Sequence, residues 1–170
     1  IEQGRLALLA RHATPPGDLL EVGPGVGSLV EPLTATGWKY RAIEASPTLA
    51  GQLRARGGEG TEAWVPPFPV PDGSCDVLYA DQVLEHMSGI DAAHAFASEA
   101  YRVLRPNGVA FIVVPDYLKE RTFFWDVDYT HNFVTTERRV RQLLNDGGFE
   151  ILHLERAIGL HALRGCLRPC

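Results

Sequence analysis

Long apolar runs are missing from this chain of 170 residues. None approaches the roughly 18–20 residues that a bilayer-crossing helix needs, so no membrane partner is expected. Basic charge is scarce as well. Sixteen Lys and Arg stand against 21 Asp and Glu, a net charge of −5, whereas a protein built to grip phosphate backbones usually carries the opposite sign. Nucleic acid is therefore not an expected partner. Cysteine is limited to Cys75, Cys166 and Cys170, an odd count without metal-ligand spacing, so neither a disulfide framework nor a metal site is expected. The N-terminus has no signal-peptide pattern, and with reduced thiols this predicts a cytoplasmic protein. The chain begins at Ile1 rather than methionine, as an ordered fragment would.

What is present reads as one globular domain. Apolar residues make up 45% and charged residues 22%, enough to bury a core and too apolar for disorder. Short apolar runs alternate with helical stretches, the pattern of parallel strands joined by crossover helices. Helices are predicted over residues 2–12, from Ser28 to Gly37, over Pro47–Gly57, over Ile90–Leu104 and from Thr135 or Thr136 to Asn145. Strands are predicted over Asp18–Val22, Tyr40–Ala45, 60–65, Asp76–Ala80, Val109–Val114 and Phe149–Glu155. Residues 66–73 hold four of the twelve prolines and form an extended connector. Within the single domain 1–170, a ligand-binding half spans about 1–115, an irregular aromatic lid about 116–134, and a helix and strand 135–157.

The segment that carries chemistry is Glu21-Val22-Gly23-Pro24-Gly25-Val26-Gly27, between a strand and a helix. Glycines there let the chain turn sharply and bring backbone N–H groups close to a ligand. A turn with only a packing role is the plainer alternative. The next strand, however, ends in Glu44, and an acid at that place can take both hydroxyls of a ribose. A dinucleotide site wants a third glycine at position 28, where Ser28 stands, and a pyrophosphate is repelled by a carboxylate such as Glu21. The spacing points away from NAD and toward a positively charged nucleoside.

LLEVGPGVGSLVEPL resembles motif I of the class I S-adenosylmethionine-dependent methyltransferases. YRAIEAS, VPDGSCDVLYADQVLEHM and RVLRPNGVAFIVVPD resemble the strand-two, strand-four and strand-five motifs of that family, in order, over about residues 5–155. LEHM and RVLRPNG are typical of its small-molecule, type 11-like branch. The resemblance implies an α/β, Rossmann-like, doubly wound and mostly parallel sheet, with S-adenosylmethionine as cofactor and S-adenosylhomocysteine as product. It implies that Gly23, Gly25 and Gly27 meet the methionine end of the cofactor and that Glu21 lies near its amino group. Glu44 would hold the ribose, Ala45 would lie against the adenine, Glu62 would meet the adenine amine, and Asp81 and Gln82 would border the methyl group. The family sheet has seven strands. Here six are readable, and AIGLHALRGCLRPC after the sixth reads as a short helix or coil, which would leave a sheet edge for another chain to cover, so a homodimer is an open option.

The expected function is methyl transfer to an oxygen or nitrogen of a small molecule such as a sugar or quinone. Alternatives are a cofactor-binding protein without turnover, a nucleic-acid methyltransferase and an NAD-dependent oxidoreductase. The Asn/Asp-Pro-Pro-aromatic stretch of base methyltransferases is replaced by Ala80-Asp81-Gln82-Val83. Asp128 and His131 are the expected catalytic pair, since a histidine beside a carboxylate makes a base and its orienter. His86 reads as a residue that shapes the floor. A magnesium site from Asp116, Asp128 and His131 is a minor alternative.

Overall fold

The computed structural model describes residues 2–157 and 162–170. Seven strands form one sheet in the order β3-β2-β1-β4-β5-β7-β6. They are β1 (Gly17–Val22), β2 (Trp38–Glu44), β3 (Glu59–Glu62), β4 (Cys75–Asp81), β5 (Leu104–Pro115), β6 (Phe149–Ala157) and β7 (Ala162–Pro169). The first five pair in parallel, and β7 runs antiparallel to both β5 and β6. The longer helices are α1 (Glu2–His12), α2 (Val30–Ala35), α3 (Pro47–Ala55), α4 (Ile90–Val103) and α7 (Glu137–Asp146). Two short helices, α5 (Tyr117–Glu120) and α6 (Phe123–Asp126), lie between β5 and α7.

Strand alternation assigns the two faces. Leu20, Val22, Leu78, Ala80, Ala110 and Ile112 pack with Ala93, Phe96 and Ala97 of α4 and Leu143 and Leu144 of α7. Their neighbours Leu19, Val77, Tyr79, Val109 and Phe111 pack with Leu8 and Leu9 of α1, Val30 and Leu33 of α2 and Leu53 of α3. Successive side chains on a strand point to opposite faces, so central strands covered on both sides are apolar at nearly every position. The chain winds outward from β1 through β2 to β3, then crosses to β4 on the other flank. That reversal between β1 and β4 opens a crevice at the carboxyl ends of the strands, where α/β sheets bind ligands.

The tail differs from the expectation of a short helix or coil. Residues 162–169 form β7, inserted between β5 and β6, so the expected bare edge inside the sheet is filled. Arg164, Gly165 and Arg168 mask the strand in the sequence. Arg164 bonds Glu155 at 2.7 Å across the β6–β7 ladder, and a Cβ on Gly165 would stand 3.3 Å from Leu154 and 3.4 Å from the His153 carbonyl. Residues 158–161, part of the same expected helix or coil, lie outside the described residues. The Arg105–Gly108 turn also differs, since it is absorbed into β5 and the β4–β5 register slips between Cys75 and Val77.

Candidate active site

The turn after β1 departs from the sheet through three glycines of positive φ, Gly23 (66°), Gly25 (57°) and Gly27 (70°), a region that side chains with a Cβ resist. The Gly23 amide donates to the Ile43 carbonyl at 2.9 Å, and the Gly27 amide to Pro24 at 2.9 Å. Glu44, at the end of β2, closes over the turn. One of its carboxylate oxygens accepts the Gly25 amide at 3.1 Å and the other the Ser46 amide at 2.9 Å. Ser46 in turn caps α3 through Leu49. Between these elements lies a cleft of about 710 Å³.

Among the expected ligand-binding residues, Gly23, Gly25, Glu44, Ala45 and Gln82 line this cleft. Gln82 follows β4 with a φ of 57° and donates its amide to Val113. Four others stand apart from the lining. Glu21 is buried beneath the turn and accepts the Tyr40 hydroxyl. Burial together with the Glu21 charge holds the Tyr40 phenol well above its ordinary value, so it stays a donor. Gly27 lies against Leu53, whose Cδ1 would stand 2.8 Å from an added Cβ. Asp81 accepts the Tyr79 hydroxyl at 3.2 Å. Glu62 is exposed at the end of β3, and the next three residues, Ala63, Trp64 and Val65, form that wall instead.

The opposite wall is built from His86, Asp128 and Thr130. His86 ends a 3-10 turn, Leu84–His86, that follows β4. Its Nδ1 lies 2.8 Å from the Thr130 hydroxyl, which donates to Asp128 at 2.7 Å. The Thr130 hydroxyl and amide hold the Asp128 carboxyl below its usual range, so it is ionised. Burial and the neighbouring His131 ring hold His86 below its ordinary value, against the pull of Asp128 and of the Thr130 and Gln82 backbone. It is therefore neutral at physiological pH. His131 is not on the wall. It is buried behind His86, ring centroids 4.9 Å apart, with its Nδ1 2.7 Å from the Phe124 carbonyl. Asp116 does not join Asp128 and His131 either. It caps α5 at Leu118 and pairs with Arg156 at 3.0 Å.

Two wall residues, Trp64 and Thr130, are not singled out by the sequence. Trp64 is 82% exposed yet borders the cleft; its position, inside the predicted strand 60–65, carries no signal for that place. Thr130 lies between Asp128 and His131, the expected catalytic pair, and joins Asp128 to His86. His86, expected to shape the floor, is part of this wall. Of the lid aromatics, Phe124 and Phe133 belong to the core, while Phe123, Trp125 and Tyr129 are exposed.

The lining suits S-adenosylmethionine chemically. A Cβ on Gly25 would meet nothing within 4 Å, so the backbone faces open space that a ligand can approach closely. Glu44 and Asp128 are the charged groups among the described lining residues, with no Lys or Arg. Such a wall accepts a cation and repels a pyrophosphate.

A family profile described as a methyltransferase domain matches residues 1–154. The chain belongs to this methyltransferase family. Among the relatives of this methyltransferase domain is one from Mycolicibacterium smegmatis named as a probable S-adenosylmethionine-dependent methyltransferase. It is 31% identical over 140 residues, covering 79% of this chain and 52% of the relative. A protein of the same description from Mycobacterium tuberculosis strain H37Rv is 32% identical over 101 residues, 58% of this chain and 36% of the relative. The chain thus spans about half, or less, of the length of these curated relatives. A solved S-adenosylmethionine-dependent methyltransferase from Mesorhizobium loti superposes with a TM-score of 0.84 at 14% identity, covering 98% of this chain and 97% of that one. The fold is therefore the class I methyltransferase fold. No helix among the described residues is long and apolar enough to cross a membrane.

Proposed function

We propose that this methyltransferase domain transfers the methyl group of S-adenosylmethionine to an oxygen or nitrogen of a small-molecule acceptor, such as a sugar or quinone. The observation that carries the reading is the Glu44 carboxylate at the end of β2 bonded to the Gly25 amide of the turn after β1, beside open space. Glu44 would take the ribose hydroxyls, since a carboxylate has lone pairs beyond those its two amide bonds use. Gly23 and Gly25 would let the backbone approach the methionine end, with Gly27 shaping the turn beneath. Glu21, held by Tyr40, would lie below the ligand's ammonium group, and Asp81 and Gln82 would border the reacting end. Ala45 would lie against the adenine, with Trp64 beside it in place of the expected Glu62.

S-Adenosylmethionine supplies an electrophilic methyl on sulfur, so the protein's task is to orient the acceptor and exclude water. Asp128, Thr130 and His86 would meet the acceptor's polar atom, while His131 acts through His86 from behind. A cleft of about 710 Å³ suits a small molecule beside a nucleoside, within the roughly 300–1,000 Å³ range of small-ligand sites. The net charge of −5 speaks against a nucleic-acid acceptor.

Calorimetry with S-adenosylhomocysteine and with NAD tests the cofactor side. Saturable binding of the first and none of the second is expected. Transfer of label from methyl-tritiated cofactor into the small-molecule fraction of an extract tests the acceptor side, and label found only in RNA or DNA would overturn it.

A further inference from the structure

We propose that Glu85, His86 and His131 form a binding site for one divalent transition-metal cation at the acceptor wall of the cleft. Ligand atoms of the three lie within 4.8 Å of one another. Ligands at about 2.0–2.2 Å around a tetrahedral zinc ion stand roughly 3.3 Å apart, so the cluster closes on an ion by shifts of about 1.5 Å or less.

Glu85 supplies the strongest argument. It is 0% exposed, and neither of its carboxylate oxygens finds a hydrogen-bond partner in another of the described residues. A buried carboxylate without a partner is among the costliest arrangements in a protein core. A cation between this carboxylate and two imidazoles removes the penalty.

The imidazoles are prepared for the role. The Phe124 carbonyl 2.7 Å from His131 Nδ1 can only accept, so Nδ1 carries the proton and Nε2 a lone pair. The Thr130 hydroxyl gives its proton to Asp128, so it accepts from His86 Nδ1 and leaves the lone pair on Nε2. Metal-bound histidines almost always donate their other N–H to an oxygen in this way, which fixes the tautomer and ring orientation. The backbone holds the three together. The Asn132 and Phe133 amides donate to the Glu85 carbonyl at 2.8 and 2.9 Å, locking the segment that carries His131 onto the turn that carries Glu85 and His86.

Two nitrogen donors and one carboxylate suit zinc, iron(II) or cobalt(II), whereas magnesium and calcium prefer oxygen throughout. Three protein ligands leave a coordination position open, and His86 lines the cleft. An oxygen atom of the acceptor is the ligand that fits there, a statement that rests on the methyl-transfer reading.

The test is titration of the chelator-stripped chain with Zn²⁺ by calorimetry and with Co²⁺ by visible absorption. One cation per chain is expected, with a Co²⁺ ligand-field band. Glu85→Gln and His131→Gln should each weaken binding at least tenfold, with folding checked by circular dichroism. If Glu85→Gln does not fold, His131→Gln carries the comparison. Absence of saturable binding, or unchanged affinity in the folded variants, overturns the proposal. S-Adenosylhomocysteine binding is measured on the unmodified chain. Its failure beside intact cation binding would remove the methyl-transfer reading and leave the metal site standing.

Discussion

The Glu44 carboxylate accepts the Gly25 amide with one oxygen and the Ser46 amide with the other, so a single side chain joins the end of β2 to the glycine turn and to the cap of α3. If its remaining lone pairs take a ribose, Glu44→Ala removes charge-assisted bonds worth about 1.5–3 kcal/mol each. S-Adenosylhomocysteine affinity should fall by at least about tenfold, or ~1.4 kcal/mol, by calorimetry. Unchanged affinity in a folded variant would remove Glu44 from the ribose.

Gly25 and Gly23 have similar backbone angles but different surroundings. A Cβ on Gly23 would stand 2.7 Å from Val83 Cγ2, whereas one on Gly25 meets nothing within 4 Å. Gly25→Ala should therefore cost only the backbone penalty of about 1–2 kcal/mol, a drop in melting temperature of roughly 2–8 °C. It should weaken S-adenosylhomocysteine binding at least as much as Glu44→Ala, because the methyl enters the space the ligand needs. Gly23→Ala adds a clash and should melt lower still. Thermal denaturation and calorimetry on both variants decide. An undiminished affinity for Gly25→Ala would mean the ligand lies elsewhere.

Elements with strong local signals were legible before any coordinates. The apolar stretch of β5 and the glycine turn name themselves, because a two-sided buried strand must be apolar and a sharp turn selects glycine. β7 was hidden because Arg164 and Gly165 are fitted to β6, a partner whose register no local pattern reveals. The acceptor wall was half visible. Asp128 was found from its spacing to His131, but which of the two histidines reaches the cleft depends on the packing of residues 131–133 onto Glu85. Glu62 ends β3 with its side chain exposed, and the cleft is lined by Ala63, Trp64 and Val65, because the strand before the proline connector ends three residues earlier than its sequence suggests.

The three thiols should separate by reactivity. Cys75 and Cys166 are buried and Cys170 is exposed. Burial pushes the first two up to about 12. At pH 8 about one in ten thousand such thiols is ionised, against roughly a quarter of ordinary ones, and only the thiolate attacks. A chromogenic disulfide reagent should therefore titrate one thiol quickly in the native chain and three in denaturant. Two or three fast thiols in the native state would mean that the faces around β4 or β7 open readily.

The proline connector is held by one ion-pair cluster, and its pH dependence has a definite sign. Arg102 of α4 donates to the Phe68 and Val70 carbonyls and to Asp72, and Glu99 receives both Arg102 and the Phe68 amide. The Arg102 hydrogen bond, aided by that amide and opposed by burial, holds the Glu99 carboxyl below its usual value. A lowered folded-state value contributes stability above the unfolded value of about 4.3 and loses it as pH falls through the folded one. Because both side chains are partly exposed, Glu99→Gln should cost about 1–2 kcal/mol at neutral pH, or roughly 2–8 °C of melting temperature. The gap between the variant and the unmodified chain should narrow below about pH 4 as Glu99 is neutralised in both states. A gap of constant size down to pH 3 would show that Glu99 acts by shape alone, leaving the Arg102 bonds to the Phe68 and Val70 carbonyls to hold the connector.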